Sequence, residues 1–492
     1  MQYTGGETLK PAQGHQRLLL EQRGQRRRAE RDVAEVIEEI GFGRGQLVAL
    51  VLAGGTFLAE GLELLIVALL GNAIAADLGA PSSQEGLLIA AGCAGALVGN
   101  MLSGPFADLV GRQFPITMAY SFVVIFGVVS SFMNSVPSLS LMRFFTGAGL
   151  GLGQPAALAL MSEVLPERWR LRGIACSSLL FGLGMLLAVL MVATQDSWHR
   201  GPGAGGWGLA LRGATLPSIL LGLCSIFLLP ESPAFLAASG DHALARDVLM
   251  ALQSQNGRPG RPVLFRTSRK GDFQHPPPPP RFGGLLDPST LVSMLVVCSS
   301  TFVLNCALYG SGYVVPQALA EIAPQGHKGF HTPSGVLVVA LAAAGLLLIG
   351  GAAWGSYAGR KTGILSCMTV SLVAAMLFPI VAYGQEPGSG RWLLVLLSCL
   401  GLCGGPAIGV LFLLQTATTF CPAALTATGA AACLACGRLG SLAAPLVIAG
   451  VQGTTGAWQP VFYAMAMLEL GCMMLVLPLP FARPEGRLAE VP

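Results

Sequence analysis

The chain is 492 residues long, 53% apolar and only 11% charged. Soluble globular domains carry about 25% charged residues, so this chain cannot cover itself with polar surface and a water-soluble fold is excluded. Net charge is +4, and the N-terminal basic clusters are interleaved with Glu30, Asp32, Glu35, Glu38 and Glu39, which speaks against nucleic-acid binding.

A bilayer core about 30 Å thick needs roughly 20 apolar residues per helix. Counted that way, twelve spans are expected, at 47–70, 85–103, 114–133, 138–160, 173–195, 210–229, 290–318, 335–357, 363–383, 393–416, 424–450 and 458–480. The expected organisation is a cytoplasmic polar tail over 1–45, a six-helix bundle over 46–230 and a cytoplasmic linker over 231–288. A second six-helix bundle over 289–481 and a short cytoplasmic tail over 482–492 follow.

Basic residues near span ends are retained in the cytoplasm. With both termini inside, 23 of the 29 Lys and Arg lie on cytoplasmic segments, against Arg200, Arg212, Lys328 and Arg391 outside. Arg143 and Arg438 fall within spans. The first 45 residues lack the apolar core of a cleavable signal peptide, so the first span reads as a signal anchor. A multi-pass protein of the plasma membrane or of an internal membrane is expected, surrounded by lipid and monomeric.

Along the first span Glu60 and Glu63 are three residues apart and share a helix face, with Thr56 one turn earlier. Carboxylates in a membrane face a bundle interior or a wet cavity and mark ion or proton pathways. Two close carboxylates raise one another's proton affinity, which points to proton exchange; a pair held structurally by an arginine such as Arg438 is the plainer alternative.

In the fourth span Gly147, Gly149, Gly151 and Gly153 precede Pro155. No strand precedes them, so they read as a flat face for close helix packing and not as a phosphate loop. Residues 231–288, with Pro276 to Pro280, read as a tether containing a short amphipathic helix near 241–251 on the membrane surface. In the seventh span Thr301, Asn305 and Tyr309 recur every four residues, continued by Tyr313, as a second wall for a site. Gln154, Gln415 and Arg438 are further polar groups within spans. Arg438 suits either a substrate carboxylate or neutralisation of Glu60, Glu63 or Glu469. Cys433 and Cys436 form a C-x-x-C pair in an apolar helix with no accompanying ligand cluster, so redox and zinc chemistry are disfavoured. No cofactor and no enzymatic constellation are expected.

Several segments resemble the major facilitator superfamily. Gly104-Pro105-Phe106-Ala107-Asp108-Leu109-Val110-Gly111-Arg112 fits its G-x-x-x-D-x-x-G-R turn, Arg143 opens an R-x-x-x-G-x-G segment, and Glu163 begins Glu163-Val164-Leu165-Pro166-Glu167-Arg168-Trp169-Arg170. Pro230-Glu231-Ser232-Pro233-Ala234-Phe235-Leu236 looks like the P-E-S-P-x-x-L signature of sugar porters, organic ion carriers and synaptic vesicle 2-like proteins. Ile40-Gly41-Phe42-Gly43-Arg44-Gly45-Gln46, followed by Glu60 and Glu63, is similar to synaptic vesicle 2-related proteins and niacin or organic ion carriers.

The resemblance implies an all-α membrane protein of twelve helices in two bundles that rock about a midplane site. It implies a gating set of Gly104, Asp108, Gly111, Arg112, Arg143, Glu163, Arg170 and Glu231. In the second half Ser356, Thr419 and Thr426 stand where the family places charges. The expected function is proton-coupled secondary transport of a small organic cation, zwitterion or nicotinate-like acid by alternating access. A non-transporting receptor on the same scaffold and a sugar porter are the alternatives.

Overall fold

The computed structural model describes residues 32–79, 85–193, 206–257, 263–265, 288–322, 360–382, 395–402, 404, 405, 409 and 426–478. The predicted eighth span, most of the tenth, the polyproline run, Gln415, Ser356 and Thr419 lie outside them. The described residues are helical almost throughout: α1 Val33–Ile40, α2 Arg44–Leu78, α3 Glu85–Val110, α4 Gln113–Ser130, α5 Val136–Val164, α6 Glu167–Ala193, α7 Gly206–Ala214, α8 Leu216–Leu228, α9 Pro233–Ala238, α10 His242–Gln255, α11 Pro288–Ile322, α12 Arg360–Ala382, α13 Thr426–Thr455 and α14 Gln459–Val476. Among the described residues, nine helices are long and apolar enough to cross a membrane, with α7 and α8 forming one of them and the apolar part of α6 a shorter tenth.

Local chemistry sets the boundaries. α5 starts at Ser135, whose hydroxyl accepts from the Ser138 amide, the standard remedy for an orphan N–H at a helix start. α2 stops at Gly79 in the left-handed region (φ +64°), where a residue without Cβ carries no penalty. The predicted sixth span is interrupted at Thr215, because Pro217 in the first turn of α8 has no N–H to continue the ladder from α7.

α2 and α11 are each 35 residues long, about 52 Å at 1.5 Å per residue and well beyond the span lengths expected for them. Their far ends are finished alike. The Trp207 indole N–H donates to Asp77 at 2.7 Å, and the Trp458 indole N–H donates to Glu321 at 2.8 Å. α7 therefore meets α2, and α14 meets α11, through the same tryptophan-to-carboxylate contact.

The glycine run of α5 packs two neighbours at once. A Cβ on Gly147 or Gly151 would strike the backbone of Gly92 or Ala96 in α3 at 1.9 and 2.2 Å, whereas one on Gly149 or Gly153 would strike Phe122 or Ala119 of α4 at 2.2 and 2.5 Å. Helical periodicity explains the alternation: residues four apart share a face, and residues two apart look to different neighbours. On the other side of the interface α11 packs on α13, α12 on α14, and α13 crosses onto α3.

Residues 32–43 and 229–257 are more structured than a polar tail and a tether. Val36, Ile37 and Ile40 of α1, Leu236 of α9, Ala245 and Leu249 of α10, and Val263 with Phe265 form a small apolar core. The apolar face of α10, expected on the membrane surface, is covered by protein here.

Candidate functional site

The α3–α5 and α2–α6 contacts hold four helices around a polar cluster in the middle of the bundle, and α11 and α13 close it from the other half. From α2 comes Glu60. It accepts from Arg438 of α13, from the Gln154 amide of α5, and from the Tyr309 hydroxyl of α11 at 2.6 Å. Arg438 also donates to Tyr309 at 2.7 Å and to the Gln154 carbonyl. With its amide oriented to satisfy both partners, Asn100 of α3 accepts from Arg438 Nε at 3.0 Å and donates to the Gly151 carbonyl at 2.7 Å. Every nitrogen of the guanidinium therefore has an acceptor. In a low-dielectric interior that is the condition for keeping such a charge.

One turn along α2, Glu63 forms a second pair. Arg143 Nη1 donates to its Oε2 at 2.5 Å, and Arg143 Nη2 donates to Ser130 Oγ at 2.5 Å. Among the described residues, Glu63 Oε1 and Arg143 Nε have no hydrogen-bond partner. The two acidic residues are thus not a carboxyl pair sharing one environment. Each carboxylate has its own arginine, and the plainer reading of Arg438 as a neutralising partner holds for Glu60.

Between the two pairs lies a cavity of about 60 Å³, lined by Glu60, Glu63, Arg143, Tyr309 and Arg438 with Cys93, Leu64, Val67, Ile89 and Leu150. It is far smaller than the 300–1,000 Å³ typical of ligand pockets.

Other expected wall residues fall elsewhere. Thr56 is buried and donates to the Ala53 carbonyl of its own helix at 2.9 Å. Asn305 donates back to the Thr301 carbonyl, and Thr301 meets Cys433 at 2.9 Å in the α11–α13 seam. Of the seventh-span stripe, Tyr309 lines the cavity and Thr301, Asn305 and Tyr313 do not. The reason is position along the helix: Asn305 and Thr301, one and two turns before Tyr309, meet Gly437 and Cys433 of α13.

At the opposite end of α5 some of the residues expected to gate assemble around Arg112, where two of its nitrogens grip Glu163, both at 3.1 Å. Glu231, just after α8, accepts from the backbone N–H of Arg112 at 2.8 Å and of Gln113 at 3.1 Å. It so caps the start of α4, where a helix favours negative charge. Gly111 has φ +97°, and a Cβ there would lie 2.2 Å from Glu231, so this glycine is needed both for its backbone and for space.

Three of the expected gating residues behave differently. Arg143 belongs to the cavity. Arg170 donates to the Leu165 carbonyl at 3.3 Å and stays out of the Arg112 cluster. Gly104 has nothing within 4 Å of a built Cβ. The Asp108 side chain lies outside the described residues.

Asn100 and Ser130 were absent from the sequence-derived site. A lone asparagine in an otherwise apolar third of a span was the available signal for Asn100; nothing distinguishes Ser130 from the other serines. Asn256, at the end of α10, is a third omission. Its side chain accepts from the Gly45 N–H at 3.2 Å and donates to Gln46 at 2.8 Å and to the Gly41 carbonyl at 3.3 Å. This explains the glycine-rich approach to α2, since a Cβ on Gly43 would overlap Asn256 at 2.2 Å.

Membrane-spanning helices that close on a buried charged centre and carry a charge cluster at one end define a multi-pass integral membrane protein. A profile described as Major Facilitator Superfamily matches residues 52–445. The chain belongs to that superfamily. It is 30% identical over 229 residues to the 4-hydroxybenzoate transporter PcaK of Acinetobacter baylyi (46% of this chain, 49% of that protein). It is 29% identical over 238 residues to the gallate transporter of Pseudomonas putida (48% and 51%). It is 27% identical over 249 residues to the synaptic vesicle 2-related protein of Xenopus laevis (49% and 43%). The matches span about half the length of these relatives. In structure it is similar to the xylose transporter XylE of E. coli in a partially occluded inward-open conformation, with a TM-score of 0.67 and 16% identity over 88% of this chain and 97% of that one. That likeness speaks for the fold.

Proposed function

We propose that this protein is a secondary transporter of small organic acids that moves each acid together with a proton. In this reading twelve spans form two six-helix bundles with both termini in the cytoplasm, and the bundles alternate access to the Glu60–Arg438 centre. The observation that carries it is the Glu60–Arg438 pair, which joins α2 of one half to α13 of the other.

Charge balance decides the ligand class. Glu60 and Glu63 are matched by Arg438 and Arg143, so the cavity wall is neutral as it stands. A cation would have to displace a tethered, fully hydrogen-bonded guanidinium that has nowhere to go. An acid needs only the place of the Glu60 carboxylate on Arg438, and a proton on Glu60 releases that place. Substrate anion and proton then bind without leaving a net buried charge, which would be expensive. The relatives named for 4-hydroxybenzoate and gallate support an aromatic acid. On the cytoplasmic side Arg112, Glu163 and Glu231 hold the first half together as one body while it moves.

The test is uptake into liposomes holding the purified protein, with labelled 4-hydroxybenzoate, gallate, nicotinate, tetraethylammonium and xylose, with and without an inward proton gradient. Gradient-driven accumulation of the acids is expected. Glu60→Gln should keep substrate exchange at equal concentrations while losing accumulation, and Arg438→Gln should lose both. Movement of the cation or the sugar in place of the acids overturns the proposal. No movement of any solute by demonstrably folded protein favours the receptor reading.

A further inference from the structure

Glu469 lies in the middle of α14 and is not part of the cavity. It is 1% exposed. Ser371 of α12 donates to its Oε1 at 2.6 Å, and its Oε2 has no partner among the described residues. Among the described residues it makes no ion pair.

The sequence shows why a counter-charge is missing. Between residues 289 and 481 the basic residues are Lys328, Arg360, Lys361, Arg391 and Arg438. Arg438 is committed to Glu60. Lys361 lies ten residues before Ser371 on α12, about 15 Å along the axis, and donates to the Leu477 carbonyl at the end of α14. Arg360 is its neighbour, and Lys328 and Arg391 fall outside the predicted spans. Among the described residues, the polar groups that meet Glu469 are a hydroxyl and a thiol: Ser371 from α12, and Cys472 one turn along α14, whose thiol donates to Ser300 of α11 at 3.1 Å.

We propose that Glu469 is a proton-binding site inside the second bundle, distinct from the cavity, and that it is held there as a neutral carboxylic acid. An ionised carboxylate with one donor and no cation in this setting is far costlier than a neutral acid with one oxygen left unbonded. Ser371 serves as the positioning residue. It fixes the carboxyl on the α12–α14 seam, so gain or loss of this proton acts on the packing of those two helices and needs no substrate.

The experiment is infrared difference spectroscopy on the full-length protein in lipid nanodiscs, comparing native with Glu469→Gln and Ser371→Ala at neutral pH. The expected result is a protonated-carboxyl carbonyl band in the native protein. It should shift on exchange into heavy water, move in Ser371→Ala through loss of its hydrogen bond, vanish in Glu469→Gln, and fade as the pH is raised. Native-minus-variant spectra showing ionised carboxylate bands at neutral pH overturn the proposal. If Glu469→Gln does not fold, the Ser371→Ala comparison decides alone: an ionised group gives no carbonyl band to move. Neither outcome depends on transport, so the result stands apart from that of the uptake assay.

Discussion

Removing one member of the Glu60–Arg438 pair should cost more than removing both. In Glu60→Gln the guanidinium keeps Tyr309, the Gln154 carbonyl and Asn100 as neutral acceptors but loses its counter-charge. In Arg438→Gln the carboxylate keeps only Tyr309 and Gln154 as donors. Orphaning one charge of a buried pair costs about 3–5 kcal/mol, and the better-solvated guanidinium places Glu60→Gln near the lower end. The double variant leaves two neutral amides in a hydrogen-bonded setting, and its cost should fall below that of either single variant, at least about 3 kcal/mol below their sum. The assay is reversible unfolding in mixed detergent micelles. Acid supplies a second check, because a proton neutralises the orphaned Glu60 and the penalty of Arg438→Gln should shrink as pH falls. Single costs that add to within about 0.5 kcal/mol, as they do for independent sites, would refute the coupling between Glu60 and Arg438.

Gly147→Leu should destabilise by about 3 kcal/mol or more, at the upper end of overpacking effects, because the obstacle at 1.9 Å is backbone and cannot rotate away. Gly104→Ala, with open space around it, should be neutral; thermal melting of the two purified variants checks the contrast, and equal losses would contradict the packing argument. Asn256→Ala should cost about 1–3 kcal/mol locally, the usual penalty for orphaned buried polar groups. It should also speed amide exchange over residues 41–46; unchanged exchange there would mean that α10 does not fasten the approach to α2.

Most of the helical framework was legible because apolar runs and glycine spacing are local signals. The four alternating glycines of α5 announced close packing, and their sorting onto α3 and α4 follows from helix geometry alone. The break at Thr215 was not anticipated, although Pro217 supplies it, because the span was counted by hydropathy, which is blind to a missing donor. The small core around Ile37 and Leu249 was hidden for a different reason. Its residues come from two segments about 200 positions apart, each too polar to draw attention by itself.

For the site, Glu60, Glu63, Arg143, Gln154, Tyr309 and Arg438 stood out because polar groups are costly in a membrane. Their pairing was not readable: which arginine serves which glutamate depends on the rotation of α5 and α13. Asn305 illustrates the same limit from the other side. It has the composition of a site residue, yet its amide is spent within the α11–α13 seam.

The two charge clusters have different reach, and that bears on how the molecule changes state. Arg112, Glu163 and Glu231 all come from the first half, so their contacts brace α4, α5 and the segment after α8 without crossing to the other half. Glu60–Arg438 is, among the described residues, the ion pair that joins the halves. Tyr309, Gln154 and Asn100 reinforce it from three more helices. Parting α2 from α13 must break this group of contacts at once, whereas the Arg112 cluster can ride along intact. In the proposed mechanism, a substrate that takes over Arg438 while a proton quenches Glu60 removes the ionic link before the helices move. Occupancy of the cavity and release of the halves are then the same event.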